Sequence, residues 1–207
     1  MNRILYLHGF ASGPSSSKAR FFRQRIPNLD VLDLAEDDFE DLTITGQLGV
    51  IEGAAAQQPV SLIGSSMGGY LAGLYAARHP EVERLALLAP AFGFVHRWVE
   101  RLGPKQLEQW RSRGWIEVFH FGENRQHQLK YALLEDAARY EDYPDFRQPA
   151  LIFHGAGDDV VPVTYSQRFA ASHPNARLEI LDSGHDLLNV LDYMEQKIEN
   201  FLGLKYH

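Results

Sequence analysis

The sequence predicts an α/β fold: a mostly parallel sheet of about six strands flanked by helices, with a helical cap insertion. Three observations predict it. Short apolar runs bounded by Gly, Pro or Asp alternate with longer helical patterns, as in βαβ units. Several of those runs, such as Ile4-Leu5-Tyr6-Leu7 and Leu85-Ala86-Leu87-Leu88, are nearly unbroken, as strands covered on both faces must be. One segment, 92–148, is far longer than an ordinary crossover requires.

The strands are expected, in order, at Arg3 to His8, Leu29 to Leu34, Val60 to Gly64, Leu85 to Ala89, Ala150 to His154, and Arg177 to Leu181. The first, third, fourth and fifth are the continuous apolar ones and should be central. Between them, Ser17 to Ile26 reads as a helix capped by Ser15, Ser16 or Ser17 and stopped before Pro27. Thr43 to Gln57 ends before Pro59, and Met67 to His79 ends before Pro80, since the residue preceding proline disfavours helix. Segment 92–148 carries Trp98, Trp110 and Trp115, with helical patterns near Phe94 to Arg111 and Gln126 to Tyr140 around a Trp115-to-Phe119 run. It lies between strands whose C-terminal ends share an edge, so it is expected to cover that edge as a cap or lid. Finally Leu187, Leu188, Leu191, Met194, Ile198 and Phe201 recur at helical spacing and form one apolar stripe for the sheet. The expected organisation is one domain over 1–207 with the cap inside it.

Composition narrows the chemistry. At 207 residues, with 45% hydrophobic and 23% charged residues, the chain can bury a core unaided. It has no cysteine, so covalent chemistry must fall to serine or a carboxylate. The opening apolar run of about five residues is too short for an export signal, and no stretch approaches the ~18 of a membrane span. A cytoplasmic protein without membrane insertion is expected. The net charge of −7 and the acidic run Glu36-Asp37-Asp38-Phe39-Glu40-Asp41 disfavour a nucleic-acid partner.

Gly64-Ser65-Ser66-Met67-Gly68 is a G-x-S-x-G turn between a strand and a helix, the pattern of a nucleophile elbow. Such a turn strains the central residue and needs small residues two positions away on each side. Gly64 and Gly68 stand there, and this register selects Ser66 over Ser65. A serine hydroxyl needs a base, and the partners are expected downstream as acid, then histidine. Asp158 follows the Ala150-to-His154 strand and is the preferred acid, with Asp159 as rival; Ser183-Gly184-His185-Asp186 places His185 after the last strand as base. An oxyanion hole is expected from the backbone N–H of Met67 and that of Phe10, in the loop after the first strand. His8 and His154, each in a His-Gly turn, read as local scaffolding. A metal site from His8, His154 and Asp158 has no supporting spacing, and no metal or cofactor is expected.

Tyr6-Leu7-His8-Gly9-Phe10-Ala11-Ser12-Gly13-Pro14-Ser15-Ser16-Ser17-Lys18-Ala19, together with Gly64-Ser65-Ser66-Met67-Gly68-Gly69-Tyr70, resembles the YqiA/YcfP-like esterases, a small branch of the α/β-hydrolases. The likeness spans the chain in motif order and departs at 92–148, which is longer. It implies the α/β-hydrolase fold, no cofactor, and a carboxylic-ester or thioester hydrolase with Ser66, Asp158 and His185 at the family's triad positions. The expected partner is a small-molecule acyl ester of small to medium chain. A thioester uses the same residues, and a non-catalytic ligand-binding protein of the same fold is the alternative from another class. The sequence leaves a homo-oligomer open.

Overall fold

The computed structural model describes residues 3–35 and 38–204; Glu36 and Asp37 of the acidic run and the terminal His207 lie outside the described residues. Six strands form one sheet: β1 (Arg3–Leu7), β2 (Leu29–Val31), β3 (Val60–Ser65), β4 (Val82–Leu88), β7 (Ala150–Gly155) and β8 (Ala176–Leu181). They lie in the order β2-β1-β3-β4-β7-β8, every pair parallel. The four continuous apolar runs are the four interior strands. Their side chains alternate between two cores. Leu5, Leu7, Leu62 and Ile152 face one side, while Ile4, Tyr6, Ile63 and Phe153 face the other, as the two-residue period of a strand requires. Each such fully buried Leu or Ile stabilises the fold by about 1.5–3 kcal/mol relative to exposure.

Helices α2 (Ile44–Ala55), α3 (Met67–Ala76) and α6 (Thr164–Ser172) cover the first face; α1 (Ser17–Arg25) and α7 (Leu191–Leu202) cover the second. Ser16 caps α1 by accepting the Ala19 N–H, and Thr43 caps α2 by accepting that of Gly46. The edge strand β2 is three residues long, shorter than the expected run to Leu34: the Leu32 N–H makes the last backbone bond to β1, to Tyr6 O at 3.1 Å, and the Leu34 N–H goes to the His8 side chain instead. The C-terminal stripe also begins later than its spacing suggests. Leu187 sits at φ 55° outside any helix, Leu188 is exposed, and α7 starts at Leu191 after a short 3₁₀ turn. Met194, Ile198 and Leu202 are its buried apolar residues, with Leu191 and Phe201 packed beside them. No helix among the described residues is long and apolar enough to cross a membrane.

Between β4 and β7 the chain forms α4 (Phe94–Arg113), the antiparallel pair β5 (Trp115–His120) and β6 (Arg125–Lys130), and α5 (Ala132–Ala137). This corrects the expectation of a helical pattern near Gln126 to Tyr140 in its first part. Gln126 to Lys130 is strand, not helix: His127 and Leu129 alternate inward with exposed Gln126, Gln128 and Lys130. The signal was the turn Phe121-Gly122-Glu123-Asn124, where Asn124 takes φ 55°, a left-handed conformation that asparagine tolerates in hairpin turns. Within α4, Gly103 (φ 67°, ψ 169°) leaves the helical region before Pro104, whose ring crowds the preceding residue, so α4 is two helical pieces. Trp110, fully buried, ties α4 to β6 by donating its indole N–H to the Leu129 carbonyl at 3.0 Å.

Candidate active site

Because all six strands of the sheet are parallel, the loops leaving β1, β3, β4, β7 and β8 emerge at one edge. Ser66 stands between β3 and α3 with φ 53° and ψ −113°, a conformation a serine holds only when its surroundings impose it. The imposing contacts are backbone ones. The Ser66 N–H donates to Leu88 O (2.8 Å), and its carbonyl accepts from Gly69, Tyr70 and Ala91. A Cβ on Gly64 would stand 2.4 Å from Gly68 O, and one on Gly68 would stand 2.1 Å from Leu7 O, so both positions exclude any side chain. The turn thus packs strand, helix and the β1 loop together, and Gly9 lies against the Ser66 side chain.

His185, in the loop after β8, directs Nε2 to Ser66 Oγ at 3.1 Å and Nδ1 to Asp158 Oδ2 at 2.7 Å. Asp158 follows β7; its other oxygen, Oδ1, accepts the N–H groups of Val160 (2.9 Å) and Val161 (2.8 Å). The Asp158 side chain is fully buried, His185 is partly exposed, and Ser66 is partly exposed. Burial by itself would raise the Asp158 carboxyl. The hydrogen bonds from His154, His185 and the Val161 N–H outweigh it and hold the group far below the usual carboxylate range. Asp158 is therefore an anion at every pH near neutrality, and it orients the imidazole with Nδ1 protonated and Nε2 free to face the hydroxyl. Asp159 lies exposed at the surface.

Met67 is the first residue of α3, so its N–H belongs to the helix's first turn, where the N–H groups have no intrahelical acceptor. Phe10 lies in the turn after β1, its ring against Phe39 (5.3 Å) and Trp98 (5.4 Å). A narrow hollow beside it, with room for about one water, is lined by Gly9, Phe10, Leu34, Phe39 and Leu42. A larger hollow of about 460 Å³ around Tyr143, Arg147 and Asn175 lies where β7 and β8 begin, at the opposite edge from Ser66.

Several supports of this constellation escaped the sequence. His154 does more than close a turn: its Nε2 lies 2.7 Å from Val161 O and 3.2 Å from Asp158 Oδ2, and Ser166 Oγ holds its Nδ1 at 2.8 Å. Arg97 on α4 donates to the carbonyls of Phe92, Ala91 and Val160, joining the loop after β4 to the loop of Asp158. Lys18 donates to Asp186 O at 2.8 Å, next to His185. Burial lowers the Lys18 ammonium to about 8, against the pull of Asp186 and Asp158. Gly155 lets the Ser183–Gly184 backbone pass, since a Cβ there would stand 2.4 Å from both carbonyls. No local pattern marks the pairings of Arg97 with Val160, Lys18 with Asp186 and Gly155 with Ser183, because those partners are distant in sequence.

His8, directly before the Gly9–Phe10 turn, makes the environment pH-sensitive. Its Nε2 accepts the Leu34 N–H (3.3 Å), so Nδ1 carries the proton toward Gly9 O (2.9 Å). Burial lowers its pKa, and His120 adds to this, while the Gly9 bond and Asp33 oppose it. With a depressed folded value, His8 leaves stability untouched above about pH 6.5, the ordinary histidine value. As pH falls below that, the unfolded chain binds a proton that the folded one refuses, and stability drops until the folded value is reached. A single proton bounds the slope at about 1.4 kcal/mol per pH unit. Urea midpoints between pH 7.5 and 5.5 should fall more steeply for the native protein than for His8→Asn; parallel slopes would discard this account.

Comparison with known proteins agrees with this architecture. The family model described as an uncharacterised protein family, UPF0227, matches residues 3–203. Monoacylglycerol lipase ABHD6 from Bos taurus is 24% identical, over 89% of this chain and 70% of that protein. Among solved structures, alpha/beta hydrolase domain-containing protein 10 from mouse superposes with a TM-score of 0.78 at 18% identity, covering 97% of this chain and 89% of that one. Est1E from Butyrivibrio proteoclasticus, solved with ferulic acid bound, gives 0.78 at 19% identity, covering 98% and 88%. The fold is that of the α/β-hydrolases.

Proposed function

From the premise that the chain belongs to the UPF0227 family and has the α/β-hydrolase fold, we propose that it is a serine hydrolase of carboxylic esters. The observation that carries this reading is the run of hydrogen bonds from Ser66 through His185 to Asp158, at 3.1 and 2.7 Å. In it, His185 Nε2 takes the hydroxyl proton as Ser66 Oγ bonds to the ester carbon, and the carbonyl electrons move onto its oxygen. The N–H groups of Met67 and Phe10 receive that oxyanion. Collapse breaks the bond to the alkoxy group, which leaves as alcohol with the proton from His185. Water, deprotonated by the same imidazole, then attacks the acyl-serine and releases the acid. Asp158 stays ionised and offsets the charge of the transient imidazolium.

Segment 92–148 acts as a cap in this scheme, its Trp98 ring meeting Phe10. The aromatic rings gathered at Phe10, those of Phe39 and Trp98, favour an apolar acyl group of small to medium chain. The comparisons point the same way in kind: an Est1E protein and a monoacylglycerol lipase are among its relatives. A thioester would pass through the same steps.

The test is to label the purified protein with a fluorophosphonate and to assay nitrophenyl esters of two to twelve carbons. One phosphonyl adduct on the peptide bearing Ser66, with turnover favouring the shorter chains, is expected. No adduct and no turnover on any ester would leave a ligand-binding protein of the same fold.

A further inference from the structure

We infer that the β5–β6 hairpin positions the oxyanion loop, with His120 as a positioning residue; this rests on the hydrolase reading above. The loop from Gly9 to Gly13 has no secondary structure of its own, and Ala11 within it takes φ 51°. A non-glycine residue keeps such a conformation only where neighbours impose it. The neighbours are the hairpin. The Phe121 N–H donates to Ala11 O at 2.8 Å, a bond that ties the turn of the hairpin to the residue after Phe10. The buried His120 ring accepts the Glu123 N–H on Nδ1 at 3.1 Å, which leaves its proton on the other nitrogen, and the ring stands beside the Ser12 backbone. A Cβ on Gly122 would lie 3.4 Å from both Gly13 N and Ser12 C, so the hairpin turn rests directly on the loop backbone.

Aromatic packing completes the hold. Phe39 meets Phe10 at 5.3 Å, His120 at 4.7 Å and His127 at 5.4 Å, so one ring contacts both the loop and the hairpin. The hairpin is in turn fastened to the segment carrying Phe39, through Lys130 N–H to Glu40 O and Gln128 N–H to Glu40 Oε1. The insertion therefore reaches the chemistry through the Phe10 N–H, whose direction depends on the backbone from Gly9 to Ser12. A donor displaced by a fraction of an ångström still allows substrate to bind but meets the developing oxyanion poorly.

His120→Ala should lower kcat on p-nitrophenyl acetate roughly 10- to 100-fold with little change in KM. It should weaken inhibition by phenylboronic acid, which forms a tetrahedral adduct on serine, by a similar factor. His120→Gln, which keeps a donor and an acceptor, should recover a large part of both. Phe121→Pro removes the N–H that Ala11 uses while replacing an exposed ring, so it decides the matter if His120→Ala does not fold. A folded variant with native kcat and native boronate affinity would overturn the inference. Ser66→Ala serves as control: if it is inactive while the hairpin variants are unimpaired, only the hairpin's role fails, whereas an active Ser66→Ala removes the reading beneath it.

Discussion

Ser66→Ala should lower kcat/KM for nitrophenyl esters by on the order of 10⁴- to 10⁶-fold and abolish fluorophosphonate labelling. The hydroxyl is the only atom lost, and it contacts His185 at the mouth of the site rather than the core. The backbone at φ 53° is held by its N–H bond to the Leu88 carbonyl and by the N–H groups of Gly69, Tyr70 and Ala91, none of which involves the side chain. Thermal stability should therefore stay within a few degrees of the native protein, which separates lost chemistry from lost fold. His185→Ala should be as severe, and the double variant no worse than either single one, because nucleophile and base act as a unit. Circular dichroism melts beside the kinetics decide this. A folded Ser66→Ala protein that turns over at the native rate would remove the mechanism.

Asp158→Asn should reduce kcat by about 10⁴-fold at neutral pH, since the amide no longer selects the tautomer with Nε2 facing the hydroxyl. It should also change how stability responds to acid. A carboxyl held far below its ordinary range contributes stability that is fully present above about pH 4 and is lost as pH falls through its folded value. Here burial acts against the charge, and the bonds from His154, His185 and Val161 overcome it. In Asp158→Asn that acid-linked loss should vanish, so melting temperatures between pH 5 and 3 should fall less steeply than in the native protein. The neutral amide still has Val160 and Val161 N–H groups to satisfy through its carbonyl oxygen, so folding should survive. Unchanged kcat in a folded variant would remove Asp158 from the mechanism.

The two His-Gly turns show where local reading stops. His8 and His154 were legible as scaffolding from their position after apolar strands, but not what they support. His154 touches Asp158 and Val161 only because β7 and the following loop fold back on it. His8 reaches Leu34 across the turn of β1 against β2. The hairpin of 115–130 was hidden for another reason. Gln, Lys and Arg suit helices as well as exposed strand faces, and just two inward residues, His127 and Leu129, carry the alternation of β6.

The sequence by itself determined the order of the six strands of the parallel sheet, the central place of the four continuous apolar runs, and the sharp turn at Ser66. Each of these is written in near neighbours: periodicity, turn residues and glycines whose missing Cβ is needed within a few positions. Tertiary structure alone decided that residues 66, 158 and 185 meet within hydrogen-bond reach, and that Arg97, Lys18 and the hairpin brace their loops. Those contacts join residues tens to more than a hundred positions apart, and only the packing of the parallel sheet brings them to one edge.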